Sequence, residues 1–149
     1  MSTPGSQCKI ALVAPFIAVL IATGNSVGQV RERPCTPAEA QRAEKEAETF
    51  RTWGALYQSF RVYGRCDDGA IAEGYSESVA RILVDHWDTL NQLVLLGNKD
   101  RAFRNFVIRH VDSTVKASDV DRIKMLAKTG CPKGSRALCD DLILSATKP

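Results

Sequence analysis

The stretch "CTPAEAQRAEKEAETFRTWGALYQSFRVYGRC", Cys35 to Cys66, decides how this chain folds, because it reads either as one long helix or as two. Its start is unambiguous. Thr36, Pro37 and Glu39 form a capping-box signature, with a threonine N-cap, proline at the first helical position and glutamate at the third. The first half, Ala38 to Glu48, is alanine and charge, so it runs along the surface or past the end of the core. The second half places Phe50, Trp53, Tyr57 and Phe60 three or four residues apart, a single aromatic stripe facing a core, before Gly64 stops the helix. Read as one straight helix, Pro37 to Tyr63 is roughly 40 Å long, whereas a disulfide tolerates about 7 Å between Cα atoms. On that reading Cys35 and Cys66 pair only if the helix folds back at Gly54. The expected bridges are instead Cys66 to Cys131 and Cys35 to Cys139, each closing a loop of more than 60 residues.

Downstream, Asp67 and Asp68 stand where the next helix begins, and acids there cap free backbone N–H groups at the positive end of the helix dipole. That helix buries Ile71, Tyr75, Val79, Ile82 and either His86 or Leu83, while Glu73, Glu77 and Arg81 fall on the solvent side. Leu90, Leu93, Val94 and Leu96 make a short apolar helix, and Gly97 to Asp100 reads as a turn by composition. Asp100 caps a helix that buries Phe103, Phe106, Val107 and either His110 or Val111. Another starts at Ser118 to Asp121, buries Ile123, Leu126 and Ala127 or Met125, and ends at Gly130; the last spans about Arg136 to Ser145. No segment alternates with period two and β-branched enrichment. The expected fold is all-α, a small disulfide-linked bundle of five to six helices.

Upstream, Lys9 precedes an uncharged apolar run from Ile10 to Ala22, too short to span a bilayer, and small and polar residues follow it. Residues 1–28 therefore read as an export signal cut after Gly28, with Gly24 as second choice, and residues 29–149 as a single helical domain. Cys8 precedes the apolar run, so it is not a lipoprotein cysteine and leaves with the signal. Export implies a periplasmic or secreted protein with no stable membrane insertion once the signal is removed. Cys35, Cys66, Cys131 and Cys139 then form two disulfides, since zinc favours close C-x-x-C pairs and the spacings here are 31, 65 and 8. The whole chain carries 20 Lys and Arg against 17 Asp and Glu, a net of +3. Both signs are interspersed and no basic run is interleaved with aromatics, which argues against a nucleic-acid partner.

Chemistry is sparse. The cluster "CDDG", Cys66 to Gly69, lacks the spacing of a calcium loop. No phosphate-cradling glycine loop, zinc-binding H-E-x-x-H or nucleophile elbow is present, so no catalytic, cofactor or metal residue is assigned. His86, in "VDHWD", invites a catalytic reading with Ser76, Ser78 or Ser113 as nucleophile. Adjacent helical residues diverge by about 100°, however, so Asp85 cannot orient its neighbour's ring. His86 and His110 both read as partly buried histidines at helix ends. "CDDGAIAEGY", opening a helix with cysteine, glycine, aliphatic, glycine and aromatic residues, and a late helix closing on "KTGCP" resemble the periplasmic immunity proteins that neutralise type VI secreted amidase effectors. The resemblance covers roughly Cys66 to Pro132 and implies a non-catalytic protein acting on a protein partner. A second reading stays open: a small periplasmic hydrolase or enzyme accessory protein using His86 with a carboxylate from Asp67, Asp68 or Asp88.

Overall fold

The structure is a computed structural model that describes Met1 and residues 33–147. The expected signal and its cleavage point lie outside these residues. Among the described residues there are seven α-helices, two short 3-10 turns and no strand: α1 (Pro37–Ala47), α2 (Trp53–Tyr63), α3 (Gly69–Asp85), α4 (Leu90–Lys99), α5 (Arg101–Arg109), α6 (Ala117–Thr129) and α7 (Arg136–Ser145). No helix among them is long and apolar enough to cross a membrane.

The seventh helix comes from the Cys35–Cys66 stretch, which is two helices. The capping box forms as read, with Thr36 and Glu39 each satisfying the other's backbone N–H. The helix then stops at Ala47, seven residues before Gly54, and the chain reverses through Glu48 to Thr52 until Thr52 caps α2 by accepting from the Ala55 N–H. The link is held from α3. Ser78, fully buried, donates its hydroxyl to the Ala47 carbonyl and accepts the Phe50 N–H at 3.1 Å. Arg81 donates to the Glu48 carbonyl at 2.8 Å. These contacts satisfy the backbone groups that a helix end leaves open.

The reversal overturns both expected bridges. The disulfides are Cys35–Cys66, with Cα atoms 5.1 Å apart, and Cys131–Cys139, at 6.2 Å. The second joins α6 to α7 across a turn in which Gly134 takes a positive φ of 84°. Pairing is therefore local, and the loops, spanning 31 and 8 residues, are far shorter than the long ones expected. In the chain-entropy description they contribute about 3.5 and 2.5 kcal/mol.

Helix α3 is the centre, packing on α1 and on α6, while α4 packs on α5 and α6 on α7. Trp53, Tyr57, Tyr75, Val79, Ile82, Phe103 and Phe106 are buried as expected; Phe50 and Phe60 are partly buried against the core's edge, and Leu126 is partly buried. Phe50 lies in the link and stacks on Tyr75 at 6.3 Å. Gly97 to Lys99 is not a turn. Helix α4 runs through it, and buried Gly97 gives room to the Arg104 side chain, which an added Cβ would meet at 3.0 Å. Gly74 has the same role between α1 and α3: a Cβ there would lie 2.8 Å from the Ala47 Cβ and 3.1 Å from the Glu48 backbone N.

Two substitutions check this packing by chemical denaturation. Trp53→Ala should lower stability by about 3 to 5 kcal/mol, as for other buried large aromatics. Gly74→Ala, normally favourable inside a helix, should instead destabilise by about 1 to 3 kcal/mol, because the rigid backbone of the link blocks the new methyl. A stabilising Gly74→Ala would show that α1 does not approach α3 this closely.

Candidate functional site

Asp67 does not cap a helix. Asp68 does, accepting the Gly69 N–H at 2.8 Å and leading into α3 through Gly69, whose φ is +51°. The Asp67 carboxylate turns inward toward the end of α5. It accepts from Arg109 at 3.2 Å, and His110 Nε2 lies 3.1 Å from its Oδ1 and 3.3 Å from its Oδ2. The ring is directed at Oδ2, so Oδ1 is buried without a hydrogen bond of its own. The opposite ring atom, Nδ1, meets the Ser76 hydroxyl at 2.9 Å. Nε2 donates to Asp67 in either charge state; Nδ1 accepts from the Ser76 hydroxyl when the ring is neutral and donates to its oxygen when the ring is charged. Burial pushes the Asp67 carboxyl up, but the hydrogen bond and charge of His110, together with Arg109, outweigh it and hold the carboxyl below its ordinary 3.8.

Ser76, His110 and Asp67 thus share the hydrogen-bond order of a nucleophile triad, beside a surface depression of about 520 Å³. The surroundings differ from a nucleophile's. Ser76 is 3% exposed in the middle of α3, where backbone N–H groups are committed to the helix and do not form an oxyanion pocket. The line braces three elements instead, tying the Cys66–Asp68 corner and α3 to the end of α5.

His86 is elsewhere. It is the exposed C-cap of α3, a 17-residue helix that holds Asp67 and Asp68 about 25 Å away, at its other end. It is not the partly buried residue expected, and it cannot use either aspartate. Ser78 is occupied by the interhelix link, and Ser113 lies in the exposed turn after α5. Of the two histidines, His110 is the buried one with an acid and a serine. Among the described residues no group of three or more His, Cys, Asp and Glu side chains is placed to hold a metal ion.

A second concave surface among the described residues lies next to this brace and shares Arg109 with it. A cleft of about 650 Å³ is lined by Arg33, Arg61, Arg65 and Arg109, with Phe60 and Asn105 between them. The arginines come from distant parts of the chain. Arg33 precedes Cys35 by two residues and Arg65 immediately precedes Cys66, so the Cys35–Cys66 bond brings these two together. Glu39 accepts from both, from Arg33 at 3.0 Å. Its carboxyl is pulled down to about 2, chiefly by the Thr36 backbone and hydroxyl that it accepts from, then by the two arginines. Arg109 is oriented by Asp67, and Arg61 lies over the Tyr57 ring, 5.9 Å from its centre. Asp100, the acid lining the cleft, is engaged already: Oδ1 caps α5, and Oδ2 accepts from Tyr57 at 3.3 Å.

No charge run marks these arginines in the sequence. The one cue, an arginine shortly before each of two cysteines, required the correct pairing to be read. No protein-family model, curated protein or solved structure matches this chain.

Acid titration tests the carboxylates that hold the cleft. Unfolded, Glu39 takes its proton near 4.5, and folded only near 2. Its stabilising contribution is complete above pH 4.5 and is lost as pH falls through 2. Asp67 acts in the same direction, its contribution being lost below its ordinary 3.8. In Glu39→Gln the fall in thermal midpoint over this window should be shallower than in the wild type. Parallel curves for the two proteins would mean that Glu39 is not held as described.

Proposed function

We propose that this chain is an exported, non-catalytic helical protein, periplasmic or secreted, that acts by binding a protein partner in the manner of an inhibitor or immunity protein. The observation that carries the reading is the arginine-lined cleft, which is assembled before any partner arrives. The Cys35–Cys66 bond fixes one wall, and the carboxylates of Glu39 and Asp67 aim the guanidinium groups. A surface built in advance loses little side-chain freedom on association, which favours binding. Arginine is also enriched among residues that dominate protein interfaces. Two disulfides suit an oxidising compartment, and the apolar leader supplies the route there. The resemblance to immunity proteins points the same way, although its small residues also have structural uses: Gly69 for a positive φ and Gly74 for helix contact.

A hydrolase reading moved from the expected His86 to His110 is supported by one observation, the hydrogen-bond order of Ser76, His110 and Asp67. The two readings separate experimentally. The oxidised protein, immobilised and exposed to an exported-protein fraction of its own cell, should retain a defined partner in stoichiometric amount. A serine-directed fluorophosphonate should leave it unlabelled, and His86→Ala should bind the partner as the wild type does. Covalent labelling at Ser76 would replace the binding reading with the enzymatic one.

A further inference from the structure

We infer that the cleft between α2 and α5 receives a carboxylate-rich segment of the partner protein, with an apolar side chain of that segment seated on Phe60. This deepens the partner-binding reading and rests on it.

The cleft holds unused donors. A guanidinium carries five N–H groups in a planar fork that matches a carboxylate two at a time. Arg33 and Arg109 remain 69% and 61% exposed at their side chains while each gives one nitrogen to an acid. Arg61 is exposed and pairs with no carboxylate among the described residues. Arg65 is more enclosed, and its Nε is buried with no acceptor. The acids nearby do not compete for the rest. Glu39 is committed to Thr36 and its two arginines, Asp67 to His110 and Arg109, and Asp100 to Tyr57 and the start of α5. The cleft therefore offers forked donors, no uncommitted carboxylate among the described residues and a partly buried aromatic ring.

That combination selects among anions. A nucleic acid would call for an extended basic stripe with several stacking rings, because its charge is distributed along a strand. Here four arginines line the cleft with Phe60 as its one aromatic ring, so a strand of bases would find no series of stacking platforms in it. An acidic loop or helix end bearing two or three carboxylates around a leucine-like side chain matches both the forked donors and the apolar patch.

The probe is a fluorescein-labelled glutamate-rich peptide containing one leucine, titrated at low salt into the oxidised mature protein and followed by anisotropy. An oligothymidylate strand of matched charge is the comparison. Saturable peptide binding should weaken about tenfold or more in Arg61→Glu, and less in Arg61→Lys, which keeps the charge but loses the fork. Arg136→Glu, on α7 outside the cleft, should bind as the wild type does. Circular dichroism checks that the exposed Arg61→Glu variant is folded. Equal weakening by Arg61→Glu and Arg136→Glu, absence of saturable peptide binding, or tighter binding of the oligothymidylate would overturn the inference. Capture from the exported fraction separates it from the reading beneath it. A partner retained equally by wild type and Arg61→Glu means that binding occurs elsewhere, and the cleft proposal falls alone. Peptide binding at the cleft with no partner captured upholds its chemistry and counts against the partner-binding reading.

Discussion

The fold depends on one buried hydroxyl. Ser78 closes the α1–α2 reversal by serving the last carbonyl of α1 and the first free N–H of the link together. Without such a partner, a helix end pressed against the core would leave backbone groups unsatisfied, at about 1–3 kcal/mol each. The reversal is what brings Cys35 back to Cys66, and that bond in turn sets Arg33 beside Arg65. The close approach of α1 to α3 follows from the same point, since Gly74 faces Ala47 and Glu48, the residues at the reversal. A hydroxyl inside a helix normally competes with the helix's own backbone. Here it supplies the backbone of another.

Much of the fold was legible because its signals are local. The capping box at Thr36, the aspartate cap at Asp100, the Gly130 stop and the last helix from Arg136 to Ser145 all follow from neighbouring residues. The α1–α2 break was not legible for the complementary reason. "EAETFRTWG" contains no proline, and its glycine lies inside α2 rather than at the bend. The break is imposed by tertiary contacts to Ser78 and Arg81, more than 25 positions away. The same non-locality hid the site. Asp67 looked like a second cap because an acid at a helix start usually is one, and only the position of α5 shows it facing His110. Gly97 reads as a turn because composition does not distinguish a glycine that turns from one that makes room.

The two charged regions are joined through Arg109, which lines both the cleft and the depression over Ser76. Glu39 and Asp67 act as internal counter-ions, each accepting from two cationic or ring donors. They keep like-charged guanidinium groups together at a separation where repulsion would otherwise spread them. Arg33 and Arg109 are largely in solvent, so their pairs act mainly on orientation. The enclosed contacts of Glu39 with Arg65 and of Asp67 with His110 also help to hold the fold.

The order of the bridges also bears on how the molecule matures. Among the four cysteines of the described residues, the first pairs with the second and the third with the fourth. Such an order is the one reached when a chain is threaded N-terminus first into an oxidising space and each new thiol reacts with the last one still free. Crossed or nested connectivity would require waiting, or correction by thiol–disulfide exchange. In a chain exported as proposed above, sequential pairing would let the α1–α2 hairpin close while α6 and α7 are still to emerge, setting Arg33 beside Arg65 first.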